Sequence, residues 1–413
     1  MNHDALTQHY NQLLGLPGPW HVQSVLLRLE AMEVCIRVER SPDVPLQCPD
    51  CGKECPGYDR SPPRRWRHLD SMQFFTYLEA EAPRCQCPEH GVKTVEVPWA
   101  KDRNRYTLLF EAFAIEVLLA CRSVKKTASL LRLDWNAVHR IMKSAVAHGL
   151  AQRDLADLRQ VGMDEKMVRC GVGFASILSD LKRGTVVEIA PGRTQMAAEN
   201  CWKDVSAEVR EQVECAAVDM AASFKAAIRV VAPNAEILID KFHVSQLVSK
   251  AVDETRRAEQ AEQVAAGNTA LKESRYLWLF NSENMTDLQW NRFEQVYAVA
   301  KETAKAWTLK EALVDFWQCK TTAAARRYFK EWSRKALDSG LAAMARVAKS
   351  LGKHLEAIIA YFKYRVTNAG AEALNSLIQS LQGSARGYRN FANLRVAILF
   401  FHGGLTLVKV PHP

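Results

Sequence analysis

The chain has 413 residues, enough for more than one domain, and its 48% hydrophobic and 24% charged residues are ordinary for a globular protein. No apolar run reaches the ~20 residues that a membrane-spanning helix needs, because Glu116 interrupts the strongest candidate, residues 108–120. The net charge of +9 favours a polyanionic partner, and nucleic acid is the commonest. The first residues lack the basic and apolar pattern of a signal peptide, so we expect a cytoplasmic protein.

The N-terminal region, residues 1–103, is predicted to be rich in β-structure and to bind a metal. Apolar residues alternate in 25–29 and 34–38, which is typical of strands. Six of the 11 cysteines lie within the first 90 residues. In a chain without a secretion signal, clustered cysteines favour a metal site over disulfides.

Two cysteine clusters in the segment 48–90 predict one structural zinc site. The first is a CxxC knuckle, and the second follows about 35 residues later with a strand-rich spacer between them. A closed site of four nitrogen and sulfur ligands is structural, because no position remains for a substrate. The expected ligands are Cys48, Cys51, Cys87 and His90, with Cys55 and Cys85 as competing thiols.

Basic residues lie close to these cysteines. Arg64, Arg65 and Arg67 surround Trp66. They suit contacts with DNA phosphates, and a solvated basic surface would have the same composition.

Residues 104–155 carry the pattern of a helix-turn-helix domain. Val124, Ala128 and Leu131 fall on one helical face, a short turn follows, and Asp134 is placed to cap the next helix. In DNA-binding proteins of this kind, the start of the second helix faces the base edges. The exposed residues expected there are Trp135, Asn136, His139, Arg140 and Lys143.

The stretch 156–244 alternates strands and helices in the order of a ribonuclease-H-like fold. The predicted strands are 161–163, 171–178, 185–190, 213–218 and 235–239, and the predicted helices are 195–212 and 222–231. In that fold the first and fourth strands lie side by side. Asp164 and Asp219 follow these two strands, so we expect their carboxylates together, where they suit magnesium.

A third carboxylate is expected from a later helix, beyond a long helical stretch from 244 to 362. Glu372 opens such a helix, and Asn375 and Gln379 share its face. Two magnesium ions held by three acids can activate a water or a 3′-hydroxyl and stabilise the leaving oxygen at phosphorus. Taken singly, each of these acids would be read as an ordinary residue at the end of a strand or helix.

The sequence resembles the DDE transposases of bacterial insertion sequences, in the L-three family (ISL3). The resemblance spans nearly the whole chain. The stretches that carry it, besides the two cysteine clusters, are Met163-Asp164-Glu165, Val218-Asp219-Met220, Ile239-Asp240-Lys241-Phe242-His243-Val244, the block 368–375, and Ala385-Arg386-Gly387-Tyr388-Arg389-Asn390-Phe391. Two positions depart from the family pattern, since Ala373 stands where glycine is expected and Gln379 where lysine is expected.

The resemblance implies a multidomain α/β protein with a ribonuclease-H-like core. Residues 156–244 would form its first part, 245–360 an α-helical insertion, and 361–413 its last part. Asp164, Asp219 and Glu372 would be the catalytic triad with Mg²⁺ or Mn²⁺, and Arg386 and Arg389 would contact DNA. Asp240 and His243 are second-rank candidates. Asp240 would lie near the metals at the edge of the sheet, and the alternative is that it only caps the following helix.

The implied partners are double-stranded DNA, at the terminal inverted repeats of the element and at its target, and a second copy of the chain in a homodimer. The bacterial protein would be nucleoid-associated when bound to DNA. Two other functions fit the same modules. A DNA-binding regulator has no use for three converging carboxylates, whereas a nuclease that only hydrolyses would have the same core.

Overall fold

The chain divides into two compact units. The computed structural model describes residues 3–101, 104–168, 170–366 and 369–408, so Thr367 and Asn368 of the family-like block lie outside the described residues. One unit comprises Met1–Arg153 with Leu405–Pro413, and the other comprises Asp154–Gly404. The boundary predicted at 155 falls close to this division. The segment 361–413 is predicted to belong wholly to the core, whereas its described residues from Leu405 to Val408 group with the first unit. Among the described residues, no helix has the length and apolar character needed to cross a membrane.

The first unit begins with a helix and nine strands in three small sheets. The elements are α1 (His3–Leu14), β1 (Trp20–Arg28), β2 (Glu33–Arg40), β3 (Leu46–Gln47), β4 (Glu54–Cys55), β5 (Gly57–Arg60), β6 (Arg64–Ser71), β7 (Phe74–Ala80), β8 (Pro83–Cys87) and β9 (Gly91–Thr94). The sheets have the strand orders β1-β2-β7-β6, β3-β4 and β5-β8-β9. Trp99 packs edge-on against Trp20 and Trp66, with ring centroids 5.0 and 5.6 Å apart, and these rings centre the core of the four-stranded sheet.

Three helices complete the first unit: α2 (Leu108–Cys121), α3 (Val124–Leu131) and α4 (Trp135–Ala151). The predicted turn is present, because Arg132 adopts a left-handed conformation and ends α3. The carboxylate of Asp134 accepts a hydrogen bond of 2.9 Å from the backbone of Ala137 and caps α4, as predicted. The tail enters this unit at Gly149, where Leu405 lies against the helix backbone.

The second unit is built on a five-stranded sheet with the predicted ribonuclease-H-like order. Its elements are β10 (Gln160–Val168), β11 (Gly173–Asp180), β12 (Thr185–Pro191), α5 (Gln195–Asn200), α6 (Ala207–Glu211), β13 (Cys215–Val218), α7 (Ala222–Val231) and β14 (Glu236–Ile239). The strand order is β12-β11-β10-β13-β14, with β10 and β13 parallel. The single helix predicted over 195–212 is two short helices, because Ser206 caps a new start after a turn.

A helical insertion follows β14 and has its own apolar core. It contains α8 (Lys241–Ala265), α9 (Arg275–Leu279), a single 3₁₀ turn (Ser282–Asn284), α10 (Asp287–Val299), α11 (Lys301–Phe316), α12 (Thr322–Asp338), α13 (Ala342–Gly352), α14 (Leu355–Ile359) and α15 (Tyr361–Tyr364). Its buried residues include four of the chain's tryptophans among many alanines and leucines. The first helix starts at Lys241, three residues before the helical stretch predicted from 244, because the chain turns directly from β14 into α8.

Two last helices return to the sheet: α16 (Ala369–Ser384) and α17 (Phe391–His402). Helix α16 lies along β10, and α17 packs on β12. The guanidinium of Arg395 on α17 donates a hydrogen bond of 2.7 Å to the buried carboxylate of Glu188 on β12. This ion pair fixes α17 on the sheet and so helps to position the loop that connects it to α16.

Gly149 provides a test of how the tail is held. A Cβ at this position would lie 2.7 Å from the Cβ of Leu405 and 3.1 Å from the carbonyl oxygen of Thr406. Helix propensity alone favours alanine over glycine by ~1 kcal/mol. We nevertheless expect Gly149→Ala to destabilise the protein by ~1–3 kcal/mol, because the tail must move. The matched control is Gly383→Ala in α16, where no atom lies within 4 Å of the added Cβ. Urea denaturation measures both, and an equal gain in stability for the two variants would contradict the tail contact.

Candidate functional site

Four side chains in the first unit form a compact group suited to a metal ion. Their ligand atoms all lie within 4.8 Å of one another, and they belong to Cys48, Cys51, Cys87 and His90. The Sγ atoms of Cys51 and Cys87 are 3.8 Å apart, and the Nδ1 atom of His90 is 3.5 Å from the Sγ of Cys87. Tetrahedral zinc with ~2.3 Å bonds to sulfur places two sulfurs about 3.8 Å apart. The group therefore fits zinc.

Two tight turns present these ligands. One connects β3 to β4, and the backbone N–H of Gly52 donates to the carbonyl of Cys48 at 2.8 Å. The other connects β8 to β9 and begins at Cys87. Gly52 and Gly91 have φ values of +69° and +68°, a conformation that side chains with a Cβ rarely adopt. Each turn thus supplies two ligands from a rigid hairpin.

The competing thiols lie outside this group of four. Cys85 is fully buried, and its Sγ is directed to the carbonyl of Gln47, while the Sγ of Cys55 donates to the carbonyl of Lys53. Burial raises the pKa of Cys55 to about 11. Burial also acts to raise the pKa of Cys87, but hydrogen bonds from the backbone of Glu89 and His90 outweigh it and lower that pKa to about 6. Cys87 is therefore better placed than Cys55 to supply a thiolate.

The exposed start of helix α4 presents most of the predicted DNA-reading residues. Trp135, Asn136, Arg140 and Lys143 are exposed. His139 is half-buried and stacks on Trp135, with ring centroids 4.8 Å apart and planes inclined by 12°. Burial, together with the charge of Lys143, lowers the pKa of His139. His139 therefore supports the Trp135 ring and lies on the face of α4 that is predicted to contact DNA.

The three arginines near the cysteines have different surroundings. Arg67 is only 6% exposed, pairs with Asp70 and lies over the ring of Phe75, so its guanidinium contributes to packing and is less accessible to a phosphate than the other two. Arg65 pairs with Glu33 at 2.7 Å, and Arg64 donates to the carbonyl of Asn104. Arg64 and Arg65 line an open cleft, so both remain available to a phosphate.

Pairing of β10 with β13 places two of the predicted acids next to each other. Met163 is the partner of Val218 in the parallel register, and Asp164 and Asp219 follow these two residues. Asp164 does not end its strand, because β10 continues to Val168 against β11. The carboxylate of Asp219 accepts a hydrogen bond of 2.8 Å from the backbone of Ala221, which orients it at the end of β13.

Helix α16 brings Glu372 to the same place through two contacts with β10. The amide of Asn375 donates to the Oδ2 atom of Asp164 at 2.5 Å. One turn later, the ammonium of Lys166 donates to the amide oxygen of Gln379 at 3.1 Å. Lys166 was not identified in the sequence, although it lies two residues after Asp164 and hence on the same face of the strand. A cation from β10 thus lies beside the position where the family pattern predicts lysine.

The acids influence one another, and the group includes Asp240. Burial raises the pKa of Asp164, and the charge of Asp219 adds to the effect, while His243 and Asn375 oppose it. Burial also raises the pKa of Glu372, reinforced by the charge of Asp240, a hydrogen bond with it, and the charge of Asp164. Asp240 is 5% exposed and begins α8 without making a side-chain cap, so the capping alternative does not describe it.

This acidic cluster, formed by Asp164, Asp219, Asp240 and Glu372, has the chemistry of a magnesium site. Its donors are carboxylate oxygens, which Mg²⁺ and Mn²⁺ prefer. A divalent ion would offset the burial and the mutual repulsion that raise the pKa values of Asp164 and Glu372. The acids are supplied by the ends of two strands, the interior of a third and the start of a helix, Asp164 on β10, Asp219 after β13, Asp240 after β14 and Glu372 on α16.

The loop between α16 and α17 carries the last predicted DNA contacts. Arg386 and Arg389 are both exposed. Arg386 and Gly387 have φ values of +55° and +100°, so the chain turns sharply here. Tyr388 is half-buried, and burial raises its pKa to about 12. The loop therefore presents both arginines to solvent.

Comparison with known proteins gives family matches for each of these regions. A transposase family model matches residues 161–398. A model of the helix-turn-helix domain of transposase family ISL3 matches residues 95–146. A model of the zinc-finger of transposases IS204/IS1001/IS1096/IS1165 matches residues 45–90. The three matches coincide with the acidic cluster, the α3–α4 pair and the Cys-His group.

Individual relatives agree with the family models. The chain is similar to the transposase for insertion sequence element IS1001 of Bordetella parapertussis, with 26% identity over 360 residues, covering 85% of this chain and 88% of the relative. It is also similar to the transposase for insertion sequence element IS1557 of Mycobacterium tuberculosis, with 26% identity over 386 residues, covering 87% of this chain and 86% of the relative. The likeness therefore covers most of this chain and most of each relative.

The Cys-His group predicts the metal content of the protein. Purified protein should contain about one equivalent of zinc, and Cys48→Ser combined with Cys51→Ser should remove it, because two of four ligands are absent. Cys121→Ser is the matched control and should retain the metal. Elemental analysis measures all three proteins. Full zinc content in the double variant, or none in well-folded native protein, would contradict the assignment.

Proposed function

Because the chain belongs to the ISL3 family of transposases, whose model covers more than half of it, we propose that it cuts and rejoins DNA with Asp164, Asp219 and Glu372. The observation that carries this proposal is the parallel register of β10 and β13, in which Asp164 and Asp219 follow paired residues. Asn375 supports it, because its amide holds the Asp164 carboxylate while its helix presents Glu372. Family membership alone establishes a transposase, and the residue roles are the proposal.

The chemistry follows from the placement of the acids. When bound by these carboxylates, Mg²⁺ or Mn²⁺ would activate the attacking oxygen and stabilise the charge that develops at phosphorus. In cleavage, the oxygen of water bonds to phosphorus and the bond to the 3′ oxygen breaks, which leaves a 3′-hydroxyl. In joining, the oxygen of that hydroxyl attacks a phosphodiester of the target and gives up its proton to solvent, and the displaced oxygen takes one up. Ala221 and Asn375 orient two of the acids through hydrogen bonds.

The first unit would select the DNA. We propose that α4 reads the terminal inverted repeats through Trp135, Asn136, Arg140 and Lys143, because these side chains are exposed at the start of a capped helix. Zinc held by Cys48, Cys51, Cys87 and His90 would stabilise the hairpins near Arg64 and Arg65. Arg386 and Arg389, exposed on their loop, would contact phosphates close to the acidic cluster.

An insertion sequence has two ends, and this suggests an assembly. We propose a homodimer in which each copy holds one terminal repeat, since a two-fold arrangement matches inverted repeats. Target DNA would enter the same assembly for joining. An enzyme that acts on chromosomal DNA would work in the bacterial cytoplasm and be nucleoid-associated when bound.

Removing charge from the acidic cluster should abolish chemistry and spare binding. Asp164→Asn, Asp219→Asn and Glu372→Gln should each lower cleavage and joining by ~100-fold or more, because each loses a metal ligand, and tenfold corresponds to ~1.4 kcal/mol. Asp240→Asn should cause a smaller loss, since an amide can still hydrogen-bond Glu372. The assay is cleavage of a labelled terminal-repeat duplex in magnesium, followed by strand transfer with pre-cut ends.

Glu165→Gln is the matched control for this series. Glu165 is next to Asp164 but points to the opposite face of β10, where Arg193 lies 3.8 Å from it, so cleavage should stay near the native rate. Near-native cleavage by Asp219→Asn or Glu372→Gln with normal DNA binding would refute the triad. If Asp240→Asn alone abolished cleavage, the second carboxylate of the triad would be Asp240, which follows β14, instead of Asp219. Cleavage by the native protein without strand transfer would instead indicate a hydrolytic nuclease.

Helix α4 yields a separate prediction for binding. Arg140→Ala and Lys143→Ala should weaken binding to the terminal repeats. Removing a side chain that binds phosphate lowers affinity for all DNA and reduces the salt slope by about one, whereas removing one that reads a base costs ~1–3 kcal/mol on the repeat alone. Gel shifts on repeat and random duplexes, over a range of salt, separate the two cases. Unchanged affinity of both variants for both duplexes would show that another element reads the repeat.

A further inference from the structure

An open groove with a volume of about 680 Å³ runs along helix α8 and is closed on one side by α9. Its lining includes Phe242 at one end, Lys250 in the middle, and Arg257 and Arg275 at the other end. None of these residues has a role in the chemistry proposed above.

The groove begins beside the acidic cluster. Helix α8 starts immediately after Asp240, a member of the acidic cluster, and Phe242 follows two residues later. From Phe242 to Arg257 the helix rises ~22 Å, at ~1.5 Å per residue. One strand of a DNA duplex carries a phosphate every ~3.4 Å, so this length matches about six phosphates. A strand that passes the acids would have room to continue along α8.

The far end of the groove has more positive charge than its acids offset. Asp253 is 13% exposed and lies 2.9 Å from Arg256, 3.4 Å from Arg257 and 3.5 Å from Arg275. One carboxylate therefore faces three guanidinium groups. Arg257 and Arg275 remain 66% and 56% exposed, so Asp253 holds them side by side without covering them. An incoming phosphate would find two oriented donors there.

The remaining lining suits a nucleic acid strand as well. Ser245 and Ser249 carry hydroxyls on the wall of the groove, and such groups commonly contact phosphate oxygens. Phe242 is 45% exposed at the end next to the acids. An exposed aromatic ring beside a basic groove is a surface on which a base can stack. An acidic protein segment would use the arginines but has no need of this ring.

We infer that this groove binds the phosphodiester backbone of the DNA strand that extends from the acidic cluster. The inference rests on the proposed function, because it takes the acids as the point where the strand is cut. The helical insertion would then hold the part of the DNA that continues beyond the cleavage site.

The test removes two cations from the groove and two from elsewhere in the insertion. The groove variant is Lys250→Ala with Arg257→Ala. The matched control is Arg327→Ala with Lys330→Ala, two exposed residues of α12, which carry the same charge. Binding of a fluorescent random-sequence duplex is measured over a range of salt, with polyglutamate as a second probe. The salt slope of the groove variant should be shallower by about two, because each phosphate that a cation neutralises contributes ~0.9 to the slope, and that of the control should be unchanged.

Three results would overturn the inference. These are an unchanged slope in the groove variant, an equal change in the control, and loss of polyglutamate binding with DNA binding intact, which would indicate an acidic protein partner. Cleavage of the terminal-repeat duplex in magnesium is measured on the same proteins. Absence of cleavage by the native protein would refute the proposed chemistry. The salt slopes would then still test whether the groove binds DNA. Normal cleavage with native-like slopes in the groove variant would refute the groove alone.

Discussion

The hydrogen bond from Asn375 to Asp164 joins parts of the chain that are 211 residues apart in sequence. Everything that the acidic cluster can do depends on it, because Glu372 approaches the sheet only if α16 lies along β10. The Lys166–Gln379 contact repeats the attachment one turn later. Two polar contacts along one helix face fix both its rotation and its position along the strand, whereas apolar packing alone would tolerate sliding. A polar contact to a half-buried acid is also demanding, since leaving a desolvated partner unpaired costs up to ~1–3 kcal/mol.

The helical insertion that separates these partners in sequence is stabilised independently of the sheet. Its core of tryptophans, alanines and leucines is continuous from α8 to α15. A buried carboxylate inside it is satisfied within the insertion, since Glu259 accepts hydrogen bonds from the backbone of Glu302 and Thr303 at the start of α11. A segment with its own core can interrupt a sheet domain without disturbing the strand order. Because the insertion does not interrupt the strand order, the parallel pairing of β10 with β13 stays near the centre of the sheet.

Local patterns in the sequence predicted the parts of the fold that depend on neighbours along the chain. The apolar runs before Asp164 and Asp219, the cap at Asp134 and the two cysteine turns were all predicted correctly, because each needs only a few adjacent residues. Helix α1 and the break between α5 and α6 were missed, since weak amphipathic stretches are decided by tertiary packing. The burial of Arg67 and the closeness of Asp240 to Glu372 depend on residues distant in sequence. No periodicity in one sequence reports such contacts.

The contact of Leu405 with Gly149 has a consequence for biosynthesis. The first unit contains the zinc-binding hairpins and the α3–α4 pair, but its last packing partner is translated about 250 residues after helix α4. At ~5–20 residues per second, this is a delay of roughly 10 to 50 s on the ribosome. During that interval the nascent chain presents a nearly finished DNA-binding unit, in which the backbone around Gly149 is still uncovered by Leu405 and Thr406. The unit is therefore completed only after the segment that bears Glu372 has been made.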